Sequence, residues 1–125
     1  MALDQADAHC TGLALRAHDD QADAVLDYLR ARELISSAYV EKDVVLQADD
    51  GREIAALAYV IDPDHVQYCQ FELERQAQMI ASAVGGRGPN TEYLFNTAKL
   101  LQDLEIPDAD IDWLVTRVQQ IVQRR

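Results

Sequence analysis

A carboxylate set on an apolar helical stripe is the first candidate for chemistry in this chain. Counting back from Glu33 by four and by seven reaches Leu29 and Leu26, so a helix that persists to Glu33 puts its side chain in line with inward-facing residues. A carboxylate desolvated there holds its proton more tightly and becomes a better proton acceptor near neutral pH. The negative end of the helix dipole further disfavours its charge. The alternative is a frayed last turn that leaves Arg32 and Glu33 in water.

Other candidates have plainer readings. Gly85-Gly86-Arg87-Gly88-Pro89-Asn90 precedes a helical pattern, but it lacks the Gly-Lys-Ser/Thr ending of a phosphate loop and follows a helix where that loop follows a strand. It reads as a connecting turn with Asn90 as a helix cap. Asp62-Pro63-Asp64-His65 offers three potential metal ligands in four residues, and a proline-bearing turn at a strand end accounts for it better. Cys10 and Cys69 lie far apart without Cys-x-x-Cys spacing, which argues against a disulfide framework or a zinc ribbon and for free thiols acting as small buried apolar residues. His9 and His18 read as surface residues. No metal site is expected.

The elements that must position Glu33 follow from periodicity. Residues 10–17 alternate in a way that suits a strand with one better-buried face. Asp19 and Asp20 supply a helix cap and first-turn acid, and Ala22, Val25, Leu26 and Leu29 define the inner face of the helix leading to Glu33. Residues 39–46 and 52–61 are rich in Val, Ile, Leu and Tyr and flank Ala48-Asp49-Asp50-Gly51, a hairpin signal because glycine accepts the positive φ that the turn needs. The second of these strands is apolar on both faces and is expected at the centre of its sheet.

Helical periods take over from Leu73. Leu73, Gln76, Ala77, Ile80 and Val84 share one face before Gly85-Gly86 stops the helix; Tyr93, Leu94, Thr97, Leu101 and Leu104 share another. Pro107-Asp108 opens a last helix with Ile111, Leu114, Val115, Val118 and Val122 inward, and Arg124-Arg125 complement its dipole. The expected fold is α+β, a small antiparallel sheet with helices on it, in one domain of 125 residues.

Eleven Lys and Arg against twenty-two Asp and Glu give a formal charge of −11. That balance repels phosphate backbones and anionic lipid, so neither nucleic acid nor a membrane surface is expected as a partner. No apolar run approaches about 20 residues and no basic stretch leads into an apolar one at the N-terminus, so a soluble, cytoplasmic protein is expected.

Four segments together resemble one enzyme family. They are Ala24-Val25-Leu26-Asp27-Tyr28-Leu29-Arg30-Ala31-Arg32-Glu33; residues 55–65 with Gln67-Tyr68; Glu74-Arg75-Gln76-Ala77; and residues 85–97, which contain Gly88-Pro89-Asn90-Thr91-Glu92-Tyr93-Leu94 and end in Phe95-Asn96-Thr97. Their order and content are similar to the ChaC-like γ-glutamylcyclotransferases, usually specific for glutathione, from about Gly12 onward. Ser36-Ser37 stand where many members have a glycine pair before the tyrosine. The family's opening strand and Tyr-Gly-Ser-Leu loop, which hold the γ-glutamyl group, have no counterpart in the 125 residues.

The resemblance implies a γ-glutamylcyclotransferase-like partial barrel, N-terminally shortened, with Glu33 as the catalytic general base and no cofactor. It implies glutathione as substrate, cyclised to 5-oxoproline with release of cysteinylglycine. Tyr39 and Tyr93 resemble tyrosines that face the substrate pocket, where their hydroxyls could bind an amine, carboxylate or carbonyl; the alternative for each is a half-buried aromatic with its hydroxyl at the surface. A barrel without its opening strands would expose sheet edges, so a homodimer is expected. The rival readings are a non-catalytic binding remnant of the fold and a complete enzyme whose sequence is shortened. With the oxyanion donors and substrate grip missing, the chain alone is expected to be barely active.

Overall fold

Asp49-Asp50-Gly51 turns the chain as its residue types require. Gly51 takes φ +84°, its N–H closes on the Ala48 carbonyl, and the Ala48 N–H bonds the Arg52 carbonyl. In the computed structural model, which describes residues 2–125, this turn joins β1 (Tyr39–Gln47) to β2 (Glu53–Ile61) in an antiparallel pair. The register runs from Gln47 opposite Glu53 to Tyr39 opposite Ile61. Ahead of the hairpin lies α1 (Ala22–Glu33). These elements belong to the first of two compact units, Met1–Cys69 and Gln70–Arg125.

The first unit corrects two expectations. Residues 10–17 form no strand: Leu13 and Leu15 are exposed, and the segment has only those two large apolar side chains with which to cover a sheet. Pairing comes instead from Leu3, which forms a parallel bridge to Val60 and accepts a hydrogen bond from the Ile61 N–H at 2.9 Å. The second correction concerns β2, which is half of a two-stranded sheet and not the centre of a larger one. Its apolar run alternates in burial, with Ile54, Ala56 and Ala58 partly covered while Ala55 and Leu57 face water. Three alanines give β2 less side chain to bury on each face than its apolar composition implies. Among the described residues no barrel closes.

The second unit holds α2 (Leu73–Ser82), a two-residue ladder of β3 (Val84–Gly85) with β4 (Gly88–Pro89), α3 (Asn90–Asp103) and α4 (Ala109–Gln123). The fold is therefore α+β, with four helices and two small antiparallel sheets among the described residues. Its core is Ala77 and Ala81 from α2, Leu94 and Ala98 from α3, and Ile111, Leu114 and Val118 from α4. Alanines at the contacts let three helices approach closely around the branched residues of α4. Asp108 caps α4, accepting the Ile111 N–H at 2.9 Å. Arg125 donates to the Ala81 carbonyl at 3.1 Å, so its charge meets the end of α2 and not only that of its own helix.

Local details depart from the helical pattern. Val84 lies beyond the end of α2 and is exposed, because the chain has already turned into the β3–β4 ladder. Asn90 makes no side-chain cap; it is the first helical residue of α3, and its N–H bonds the Ala83 carbonyl. In α3 Leu94 is buried and Leu101 packs against the core as expected, but the stripe is rotated so that Ala98 is buried and Tyr93 is left outside.

Two predictions arise here. Arg117 clasps Glu74 with two hydrogen bonds of 2.7 Å, joining α4 to α2. These bonds, helped by one from Gln78, hold the Glu74 carboxyl down at about 2 against the usual 4.5. A depressed folded pKa stabilises above the unfolded value and loses that contribution as pH falls. Thermal melts of wild type and Glu74→Gln should therefore differ at pH 7 and converge as pH drops from about 4.5 to about 2. The second concerns Glu105, which ends α3 with φ +56° while Ile106 N–H bonds the Leu101 carbonyl and Glu105 N–H bonds that of Gln102. That pairing is a Schellman ending, which favours glycine at the Glu105 position. Glu105→Gly should stabilise by about 0.5 kcal/mol, the left-handed strain relieved outweighing glycine's extra chain entropy, seen as a higher urea midpoint at unchanged slope.

Candidate active site

The helix carrying Glu33 does not fray before reaching it. Leu34 N–H bonds the Arg30 carbonyl at 3.0 Å, which makes Glu33 the last residue of α1. Ala22, Leu26, Leu29 and Glu33 are the partly covered positions of the helix, so the carboxylate does continue the inward stripe. The Glu33 side chain is 31% exposed, and its nearest cation is Arg32, with Nε 3.6 Å from Oε1. That is a loose contact between sequence neighbours, which leaves the carboxylate open to another partner.

Past Glu33 the chain needs one unusual backbone step to enter β1. Ser37 has φ +58°, the left-handed region that a glycine would take freely and a serine takes at about 1 kcal/mol. Ser37 N–H bonds the Leu34 carbonyl, and the Ser36 carbonyl lies 3.0 Å from His65 Nε2. His65 Nδ1 accepts the Gln67 N–H at 3.1 Å, so Nε2 carries the proton and donates to Ser36. The turn that supplies His65 closes on itself: Asp64 N–H bonds the Asp62 side chain, and His65 N–H bonds the Asp62 carbonyl. Asp62 thus serves a turn, and its own side chain is engaged in it.

Tyr39, Glu41, Tyr59 and Ile61 share one face of the hairpin, since the register sets Tyr39 opposite Ile61 and Glu41 opposite Tyr59. All four are partly covered. Arg30 reaches from α1 to this face and grips Glu41 with both arms, Nε to Oε2 at 2.8 Å and Nη2 to Oε1 at 2.9 Å. The Tyr59 hydroxyl donates to Glu41 at 3.3 Å. Arg30's hydrogen bonds lower the Glu41 pKa, and Glu41 raises that of Arg30. Burial is the main cause that raises the Tyr59 pKa, followed by the Glu41 charge; Glu33 adds to the rise, which places its carboxylate within electrostatic reach of the Tyr59 hydroxyl.

The first unit thus gathers Glu33, Tyr39, Tyr59, Arg30 and Glu41 where the end of α1 meets one end of the hairpin. Tyr93 belongs to the second unit, exposed in the first turn of α3. The Gly85 to Asn90 stretch is the small β3–β4 ladder. Cys10 and Cys69 are both exposed free thiols, not the buried small residues expected, since the strand that would have covered Cys10 does not form. Sequence reasoning missed Arg30, Glu41 and Tyr59. The hairpin register about Asp50-Gly51 pairs Glu41 with Tyr59 and could have disclosed that half of the network, but nothing local links Arg30 to Glu41 eleven residues away.

No described helix is long and apolar enough to cross a membrane. The chain is 32% identical over 116 residues to the glutathione-specific gamma-glutamylcyclotransferase of Escherichia coli (strain K12), an alignment that covers 90% of this chain and 49% of that protein. It is 27% identical over 120 residues to gamma-glutamylcyclotransferase 2-3 of Arabidopsis thaliana, covering 90% of this chain and 60% of the relative. The chain therefore spans roughly half the length of the curated relatives it matches. The family described as ChaC-like protein matches residues 1–125 from end to end, and to that family the chain belongs.

Proposed function

We propose that this chain carries the general base of a γ-glutamylcyclotransferase acting on glutathione. The observation that supports it most is Glu33 itself: a half-buried carboxylate, loosely paired, at the end of an unfrayed helix and in electrostatic reach of the partly covered Tyr59 hydroxyl. Glu33 takes a proton from the γ-glutamyl α-ammonium, whose freed nitrogen attacks the γ-carbonyl carbon of the same group. The new C–N bond closes the five-membered ring, and the carbonyl oxygen carries the negative charge of the tetrahedral intermediate. Collapse breaks the bond to the cysteinyl nitrogen, which receives the first proton from Glu33; the ring nitrogen gives up its second proton through the same carboxylate, so cysteinylglycine leaves in its ammonium form and the lactam keeps one N–H. Atoms balance without water or redox partner.

Tyr39 is the proposed substrate contact on the hairpin face; Tyr93 enters the proposal through the family resemblance alone. Oxyanion donors are a separate requirement, which the family meets with its Tyr-Gly-Ser-Leu loop. The experiment measures 5-oxoproline released from glutathione by the 125-residue chain and by the same chain joined to an upstream Tyr-Gly-Ser-Leu segment. Release by the joined form that disappears in Glu33→Gln supports the proposal, and release unaffected by that substitution overturns it.

The same reading includes a cytoplasmic homodimer in which the two units form one domain. Its physical support is the hairpin, whose outer β2 edge meets only the Leu3 bridge among the described residues and so offers backbone groups to a second chain. Light scattering at micromolar concentration should give twice the monomer mass.

A further inference from the structure

Arg30 stands three residues before Glu33 on α1, close enough for a helical ion pair. It does not make that pair. Both arms of its guanidinium are turned onto Glu41 of the hairpin, at 2.8 and 2.9 Å, while Glu33 keeps only the loose 3.6 Å contact with Arg32. We propose that Glu41 is a positioning residue for the base: by clasping Arg30 on the hairpin it withholds that cation from Glu33 and leaves the carboxylate free to accept a proton. The inference rests on the assignment of Glu33 as base.

The clasp is geometrically selective. A planar guanidinium held by two parallel hydrogen bonds gives up both when it swings away, so Arg30 stays with a partner able to accept both. Tyr59 adds a hydrogen bond to the same carboxylate and steadies it from the paired strand. Charged and titratable groups of this region include Arg30 and Arg32 on the helix that carries Glu33, Tyr39, Glu41 and Tyr59 on the hairpin, and His65, whose Nε2 meets the Ser36 carbonyl; Asp27 also acts on Arg30. Among these Arg30 is the cation whose position the hairpin controls. With Glu41 neutral, the fork loses its charged acceptor, and the carboxylates one turn away on α1 are Asp27, which already acts on Arg30, and Glu33. An arriving positive charge would stabilise ionised Glu33, lower its proton affinity and weaken it as a base.

The test follows the Glu33 side-chain carboxyl by NMR through a pH titration of the 125-residue chain, which needs no turnover. In Glu41→Gln the Glu33 midpoint should move to lower pH by about 0.5 to 1, and in Arg30→Gln/Glu41→Gln it should return towards the wild-type position. Glu41→Asp, which keeps the charge but draws the carboxylate back by one methylene, should move it in the same direction by less and serves if Glu41→Gln does not fold. A Glu33 midpoint unmoved in every variant that folds overturns the inference. That failure is distinct from failure of the base assignment, which shows itself as 5-oxoproline release indifferent to Glu33→Gln. In a form that turns over glutathione, the acid limb of the kcat/KM profile should move with the Glu33 midpoint, an effect that loosened packing alone would not produce.

Discussion

Glu33→Gln should lower kcat for 5-oxoproline release by about a hundred- to ten-thousandfold in any catalytically competent form of the protein, with KM little changed. The amide keeps the shape of the carboxylate and fills the same place at the end of α1, but it cannot take the proton from the α-ammonium. Substrate grip is a separate function and should survive. Stability should also survive, because Glu33 has only the 3.6 Å contact with Arg32 to lose. Exposed contacts of that kind contribute little, so urea unfolding of the variant should stay within about 0.5 kcal/mol of wild type. Loss of activity together with a stability loss above about 1 kcal/mol would reassign Glu33 as a structural residue.

Leu94→Ala should have the largest effect on folding, destabilising the second unit by about 3 kcal/mol. Leu94 is 2% exposed and packs among Ala77, Ala81, Ala98, Ile111, Leu114 and Val118. Three of its core neighbours are alanines, too short to fill the space that the leucine leaves. A small helical unit has only a few kcal/mol of stability in total, so the variant should be substantially unfolded near its normal melting midpoint. Leu94→Met, which conserves volume, should cost less than about 1.5 kcal/mol, and Tyr93→Phe next to it should change stability by less than about 0.5 kcal/mol. Equal effects at positions 93 and 94 would mean that the α3 stripe is not rotated as described.

The hairpin was legible because its information is local. Asp50-Gly51 needs only its own backbone freedom, and once the turn is placed, the register and the two faces of each strand follow. The helix to Glu33, the start of α4 and the inward set Ile111, Leu114 and Val118 were legible for the same reason: spacing acts within one or two turns, whereas the caps expected of Asp19, Asp20 and Asn90 do not form. The sequence by itself therefore determined the α+β class, most element positions, and a carboxylate on an apolar stripe. Tertiary structure decided whatever depends on a partner distant in the chain. Leu3, and not residues 10–17, bridges β2, because a strand persists only where another offers its hydrogen bonds. In α3 Leu94 faces inward as its spacing implies, but contact with α2 and α4 buried Ala98 beside it and left Tyr93 outside, a choice that periodicity alone tolerates either way. Arg30 went to Glu41 and not to Glu33 because the hairpin brought a carboxylate within reach of both guanidinium arms, a juxtaposition that no helical spacing encodes.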